Sequence, residues 1–301
     1  MQVLVPGLWR SGAQAPETRI PTALARFLGR ARPEPTVDLG WETELAHALG
    51  FRQPTAGERK WLAIPVSLTP GLTDLVATRV EDIGAAQMEA LWAAATPELE
   101  LAGATREAHS SGLHLLVMAG EGRWEGYPPS VGLGRSMQAL RLAAPIVRRL
   151  QILANNLQMV WFEHPVNQAR VAAGQLPVHG LWLWSPGCPD AGAAARHVAG
   201  GGSLGRWLAE EAGLAWSADP LDPGADITVL DAFLSPRAPE RFEALLRSFA
   251  DDVLEARIVQ LRRDASIELV VHDPGVARLR LKRADWRRFW VRGRALAPPS
   301  A

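Results

Sequence analysis

Short apolar runs alternate with segments of helical period along most of this chain, and that alternation is its strongest constraint on fold. The opening MQVLVPGL has the length and β-branched content of a buried strand ending in a turn. WLAIPVSL from Trp61 to Leu68, LHLLVM from Leu113 to Met118, LWLW from Leu181 to Trp184 and ITVL from Ile227 to Leu230 read as further strands. Between them, helical spacing of apolar residues predicts helices over Thr22–Arg30, Trp41–Leu49, Glu81–Ala94, Met137–Leu157, Trp207–Ala212 and Pro239–Val253. Near the end, IELVVHD and VARLRLKR alternate like a strand pair turned at Asp273-Pro274-Gly275. Strands that alternate with helices predict an α/β fold.

Composition narrows the functional classes. Lys plus Arg and Asp plus Glu are both 32, so the formal net charge is zero, which argues against a global attraction to nucleic acid or membrane. The single cysteine, Cys188, excludes an intramolecular disulfide framework and a multi-cysteine metal site. MQVLVPGLW lacks the basic start of a secretory signal, and no run of about 18 apolar residues occurs, so a cytoplasmic location without a membrane partner is expected. The seven histidines, His47, His109, His114, His164, His179, His197 and His272, form no HExxH or i,i+4 pair.

Three stretches carry candidate chemistry. AGGGSLG, Ala199 to Gly205, precedes a helix that Gly202 or Ser203 would cap; it reads as a phosphate-cradling loop or as part of a flexible connection over 185–202. At the C-terminus, Arg278, Arg280 and Lys282 alternate with Leu279 and Leu281, and Trp286, Phe289 and Trp290 follow at helical spacing. Basic charge with interleaved aromatics can bind single-stranded nucleic acid, but the alternation also fits the solvated face of a strand and the spacing a core-packed helix, the reading we expect. In FEHPVNQARVAAGQLPVHGLWLW, Phe162 to Trp184, the polar groups His164, Asn167 and Arg170 surround a proline turn. They read either as ligands for a small anion or as a segment fastened by its own hydrogen bonds, with Glu163 as the nearest acid for Arg170. Trp182 and Trp184, two apart on one strand, share a face.

HPVN with Arg170 and Gly174, then LPVHGLWLW, resembles the segment leading into the Trp-Leu-Trp-Gly strand of archaeal-type cofactor-independent phosphoglycerate mutases, members of the alkaline-phosphatase superfamily. The order continues upstream: LHLLVMAGEG and GYPPSVGLGRSM are similar to their strand and Pro-Pro-His-Asp loop, GWETELAHALGF to their Gly-Ser-Asp helix, and VLVPGL to their first strand ending in Asp-Gly. The combination resembles still more closely the RpfE-type bacterial regulatory proteins, whose name implies regulation of pathogenicity factors without defining an activity. The resemblance implies an alkaline-phosphatase/phosphoglycerate-mutase-like α/β core over 1–55 and 178–301, with an inserted α+β domain over 56–177.

Departures from that pattern shape the functional expectation. The place of the mutases' first metal-binding Asp is Pro6, that of their serine nucleophile is Trp41, and Pro-Pro-His-Asp becomes Pro128-Pro129-Ser130-Val131. Their Asp-His pair has only a reversed echo in His272-Asp273. An indole cannot attack phosphorus and a proline ring cannot ligate a metal ion. A regulatory protein without metal or cofactor is therefore expected, with a protein partner or a small anionic ligand at His164, Asn167 and Arg170. The alternatives are a mutase or phosphatase with a rearranged site, drawing on Glu42, Asp38, His47 and Asp273, and a protein-interaction module with its tryptophans exposed.

Overall fold

In the computed structural model the described residues are 2–8, 21–34, 39–51, 56–71, 75–121, 126–135, 145–186, 195–220, 222, 224–234, 239–255, 258, 266–272, 276–282 and 285. Asp38, Cys188, Asp273, Trp286, Phe289 and Trp290, and the first part of the helix expected from Met137, lie outside them. Two compact units are present, one formed by residues 1–50 with 192–301 and the other by residues 51–191.

Four elements of the first unit precede residue 51: β1 (Gln2–Pro6), α1 (Thr22–Arg30), β2 (Arg32–Glu34) and α2 (Trp41–Ala48). The second unit contains β3 (Ala56–Pro70), β4 (Leu75–Arg79), α3 (Ala85–Leu101), β5 (Ala104–Ala108), β6 (His114–Glu121), α4 (Pro129–Gly132), α5 (Pro145–Phe162), α6 (Pro165–Ala172) and β7 (Gly180–Trp184). The first unit then resumes with β8 (His197–Gly200), α7 (Gly202–Glu211), β9 (Ala215–Ser217), β10 (Ile227–Val229), α8 (Pro239–Ser248), β11 (Ser266–His272) and β12 (Val276–Lys282). The α/β class follows directly.

The larger sheet has the order β2-β12-β11-β1-β10-β8-β9. β11, β1, β10, β8 and β9 run parallel, and β12 and β2 close one side antiparallel. β1 lies at the centre, and its Val3 to Pro6 are all buried, as both faces of a parallel strand require. One face is filled by Val3, Val5, Ile267 and Leu269 against Leu24 and Phe27 of α1 and Phe242 and Leu246 of α8. Each such leucine or phenylalanine contributes about 2 kcal/mol by leaving water. Pro33 is tolerated because β2 is an edge strand. The expected hairpin forms, Ser266 opposite Lys282 through His272 opposite Val276. Ala277, Leu279 and Leu281 face the core, and Arg278 and Arg280 the other side.

The smaller sheet is antiparallel in the order β4-β3-β6-β5, and the fifteen-residue β3 also pairs with β7. That pairing, Leu62 opposite Trp184 through Val66 opposite Gly180, places strand LWLW in the sheet of the second unit, where the sequence led us to expect the core to resume at residue 178. Trp61, Ala63, Leu181 and Leu183 face α3 and α5, whose Met88, Leu91, Trp92, Leu153, Leu157 and Trp161 complete the core. Trp182 and Trp184 are buried too, on the opposite face of β7. α3 begins and ends later than its periodicity suggests, continuing through Pro97 to Leu101 because Leu99 extends the buried stripe.

Candidate functional site

Ligands of open α/β sheets collect at the carboxyl ends of parallel strands where connections depart to opposite sides. Here that place lies over β1, which has β10 on one side and β11 on the other. Pro6 ends β1 opposite His272, and the Gly7 N–H donates to the His272 carbonyl at 2.8 Å. Gly7 has φ +84°, and a Cβ there would stand 2.3 Å from the Phe233 carbonyl oxygen, so only glycine fits. Trp41 opens α2 behind Gly40 (φ 75°) and is buried, as are Glu42, Thr43 and Glu44. α2 packs on β1 and α7.

These residues do not fit the divalent metals that the mutase resemblance implies. Pro6 supplies no donor, and the first-turn position where a nucleophilic oxygen would be presented holds a packed indole. Among the described residues, no group of three or more His, Cys, Asp or Glu side chains is placed to hold a metal ion. Of the alternative catalytic set, Asp38 and Asp273 fall outside the described residues. Glu42 is buried, and His47 lies five residues on, about 7.5 Å along the helix axis.

Asp231 is the acid at this edge that sequence reasoning missed. It opens a 3-10 turn (Asp231–Leu234) just after β10, and burial pushes its carboxyl above the ordinary value. Its Oδ2 lies 3.1 Å from where a Cβ on Gly202 would stand, at the start of α7. The glycine run is therefore no simple linker. Gly200, Gly201 and Gly202 all have positive φ, and a Cβ on Gly200 would meet the Val229 carbonyl oxygen at 2.1 Å. The run joins β8 directly to α7, correcting the flexible connection expected through residue 202; residues 187–194 lie outside the described set. A carboxylate beside a helix start complements the helix dipole.

The structure gathers His164, Asn167 and Arg170 at α6 and turns their bonding inward. His164 caps the helix, accepting the Val166 N–H at 3.2 Å. Asn167, 2% exposed, donates to the carbonyls of Trp161 and Val178, both at 2.7 Å, and accepts the Val178 N–H at 2.8 Å. Arg170, 1% exposed, donates through Nε to the Leu176 carbonyl and through its terminal nitrogens to the Asp82 main chain, Gln87 and the Asp82 carboxylate. The acid for Arg170 is thus Asp82 rather than Glu163. Of the two readings, the geometry matches the segment fastened by its own hydrogen bonds.

Ser130 and Val131 sit on α4, whose next residue, Gly132, abuts the Trp182 ring so closely that a Cβ would lie 2.1 Å from it. Trp182 Nε1 donates to the Tyr127 carbonyl at 2.9 Å, pinning this turn. Ser67 and His179 approach to 3.4 Å, the separation of a loose nucleophile–base pair. However, His179 Nδ1 already accepts the Leu68 N–H at 2.9 Å, and burial lowers the imidazole's pKa. That nitrogen is therefore not available as a base toward Ser67.

The basic stripe of β12 is matched locally. Arg278 pairs with Glu44 and Glu268, and Arg280 with Glu34 and Glu268. Burial alone would lower the Arg278 pKa, but the two carboxylates override it and raise the value. These guanidinium groups are committed to carboxylates of the same unit.

No family model matches the sequence, and no curated protein matches it. Among solved structures, a cofactor-independent phosphoglycerate mutase from Thermoplasma acidophilum aligns over 100% of this chain and 95% of its own, at 14% identity and a TM-score of 0.43. The PH0037 protein from Pyrococcus horikoshii aligns over 98% of this chain and 90% of its own, at 11% identity and a TM-score of 0.45. Neither score reaches 0.5, so the fold description rests on the two sheets themselves. Among the described residues, no helix is long and apolar enough to cross a membrane.

Proposed function

We propose that this chain is a non-catalytic regulatory protein of phosphoglycerate-mutase-like arrangement, related to the RpfE type and acting through binding rather than turnover. The observation that carries the reading is what stands at the carboxyl end of β1. Where the resembled enzymes place a metal-binding carboxylate and a nucleophilic hydroxyl, this chain has Pro6, opposite His272 in the strand register, and Trp41, 7% exposed at the start of α2. Neither side chain can activate or attack a phosphoryl group. The inward bonding of Arg170 argues against a small anion at this segment, because its planar fork is already filled by Leu176, Gln87 and Asp82.

The test is a turnover assay of the purified chain with 3-phosphoglycerate and with p-nitrophenyl phosphate, each with added Mn2+ or Mg2+. No product above the uncatalysed background is expected. Turnover that co-purifies with the chain and disappears on chelation overturns the reading in favour of a rearranged metal site.

A further inference from the structure

The helix α5 carries an apolar stripe on the side away from its core. Leu150, Leu153, Leu157 and Trp161 are buried, whereas Ile152, Met159 and Phe162 are 52%, 77% and 66% exposed. At 100° per residue, Ile152 and Met159 lie within about 20° of one another, Arg148 flanks them on the same face, and Glu163, in the turn directly after the helix, stands beyond the other end of the stripe. Both flanking side chains are exposed. An isolated exposed leucine or methionine is ordinary, but a stripe of this kind on one helix face marks a contact surface.

Apart from Phe162, which a twofold about the helix midpoint sets against Arg149, the pattern is self-complementary. The midpoint between Asn155 and Asn156 is equidistant from Ile152 and Met159, and also from Arg148 and Glu163. Two copies of this helix laid antiparallel about that midpoint set Ile152 of one against Met159 of the other, twice. The same operation sets Arg148 against Glu163 at both ends, about 22 Å apart along the axis. A parallel pairing would instead juxtapose Arg148 with Arg148 and Glu163 with Glu163. Isologous contacts around a twofold axis require such a patch, one that complements itself.

We propose that the exposed face of α5 is a self-association surface, and that its occupant is a second copy of this chain paired antiparallel about Asn155 and Asn156. The inference is independent of the regulatory reading, since an enzyme could dimerise in the same way. The patch is small against a standard interface of about 800 Å² per partner, so the dimer is weak and concentration-dependent.

The test is sedimentation equilibrium of the full chain up to about 100 µM, where a complex of micromolar dissociation constant is populated. Wild type is expected to show a monomer–dimer equilibrium. Met159→Lys, at a surface position, is expected to raise the dissociation constant tenfold or more, with an unchanged circular dichroism spectrum. Arg148→Glu and Glu163→Arg each create two like-charge pairs and are expected to weaken the dimer about tenfold. The double variant restores both pairs and returns the constant to within about twofold of wild type. A wild-type monomer throughout the range, a dimer indifferent to Met159→Lys, or a double variant no tighter than the singles would each overturn the proposal.

Discussion

Replacing Asn167 by alanine removes one side chain that fastens three backbone groups. The amide nitrogen bonds the Trp161 and Val178 carbonyls, and the amide oxygen bonds the Val178 N–H, all at 2.7–2.8 Å in a residue 2% exposed. Each such bond is worth about 1 kcal/mol net, and a buried partner left without one costs more, so the loss is about 3 kcal/mol. At about 3–4 °C per kcal/mol, the thermal midpoint of the unit holding residues 51–191 should fall by about 10 °C. Asn167→Asp separates the contributions. The carboxylate keeps an acceptor for the Val178 N–H but faces two carbonyls with no proton to donate, which raises its folded pKa above the unfolded value of about 3.9. The folded state then binds more protons than the unfolded one between those two values. Its stability therefore falls as pH rises through that window, and the defect is smallest in acid. Calorimetry of both variants between mildly acidic and neutral pH reads this out. A midpoint within about 2 °C of wild type for Asn167→Ala, or a pH-independent defect for Asn167→Asp, would refute the claim that this side chain holds the segment.

Three further outcomes follow from the geometry. Gly200→Ala should destabilise the first unit by more than about 2 kcal/mol, because φ is +75° and its Cβ would meet the Val229 carbonyl oxygen; a variant as stable as wild type in urea would contradict this. With its folded pKa lowered by burial, His179 leaves the unfolded state holding more protons between the lowered value and 6.5. Stability should fall as pH drops through that window, and His179→Gln should flatten the fall; equal pH profiles would count against it. Finally, 3-phosphoglycerate should leave the thermal midpoint of wild type and of Arg170→Ala unmoved. A rise in wild type alone would show that Arg170 reaches an anion after all.

What the sequence made legible was local. Helix Thr22–Arg30 and the closing hairpin could be read directly, because periodicity and a turn signal suffice to mark them. β8 was missed because His-Val-Ala-Gly is short and sits in an alanine- and glycine-rich stretch, where composition resembles a linker. The inward bonding of Arg170 could not be read, since its partners Asp82 and Gln87 lie 88 and 83 residues away. The same holds for Arg278 and Glu44, which are 234 residues apart and meet only once β12 and α2 are assembled. Asp231 offered no motif; its place beside Gly202 arises from the adjacency of β10 and β8. Pro6 and Trp41 were singled out only through the family resemblance, which supplied the expectation of what should stand in their places.

The proposed lack of turnover rests on the carboxyl end of β1 not holding the two metals of a phosphoryl-transfer site. Elemental analysis of the purified protein, after incubation with Mn2+ and gel filtration, addresses it most directly. No stoichiometric divalent metal per chain is expected, because the Pro6 side chain offers no ligand there. One or two metal ions retained tightly per chain would contradict it.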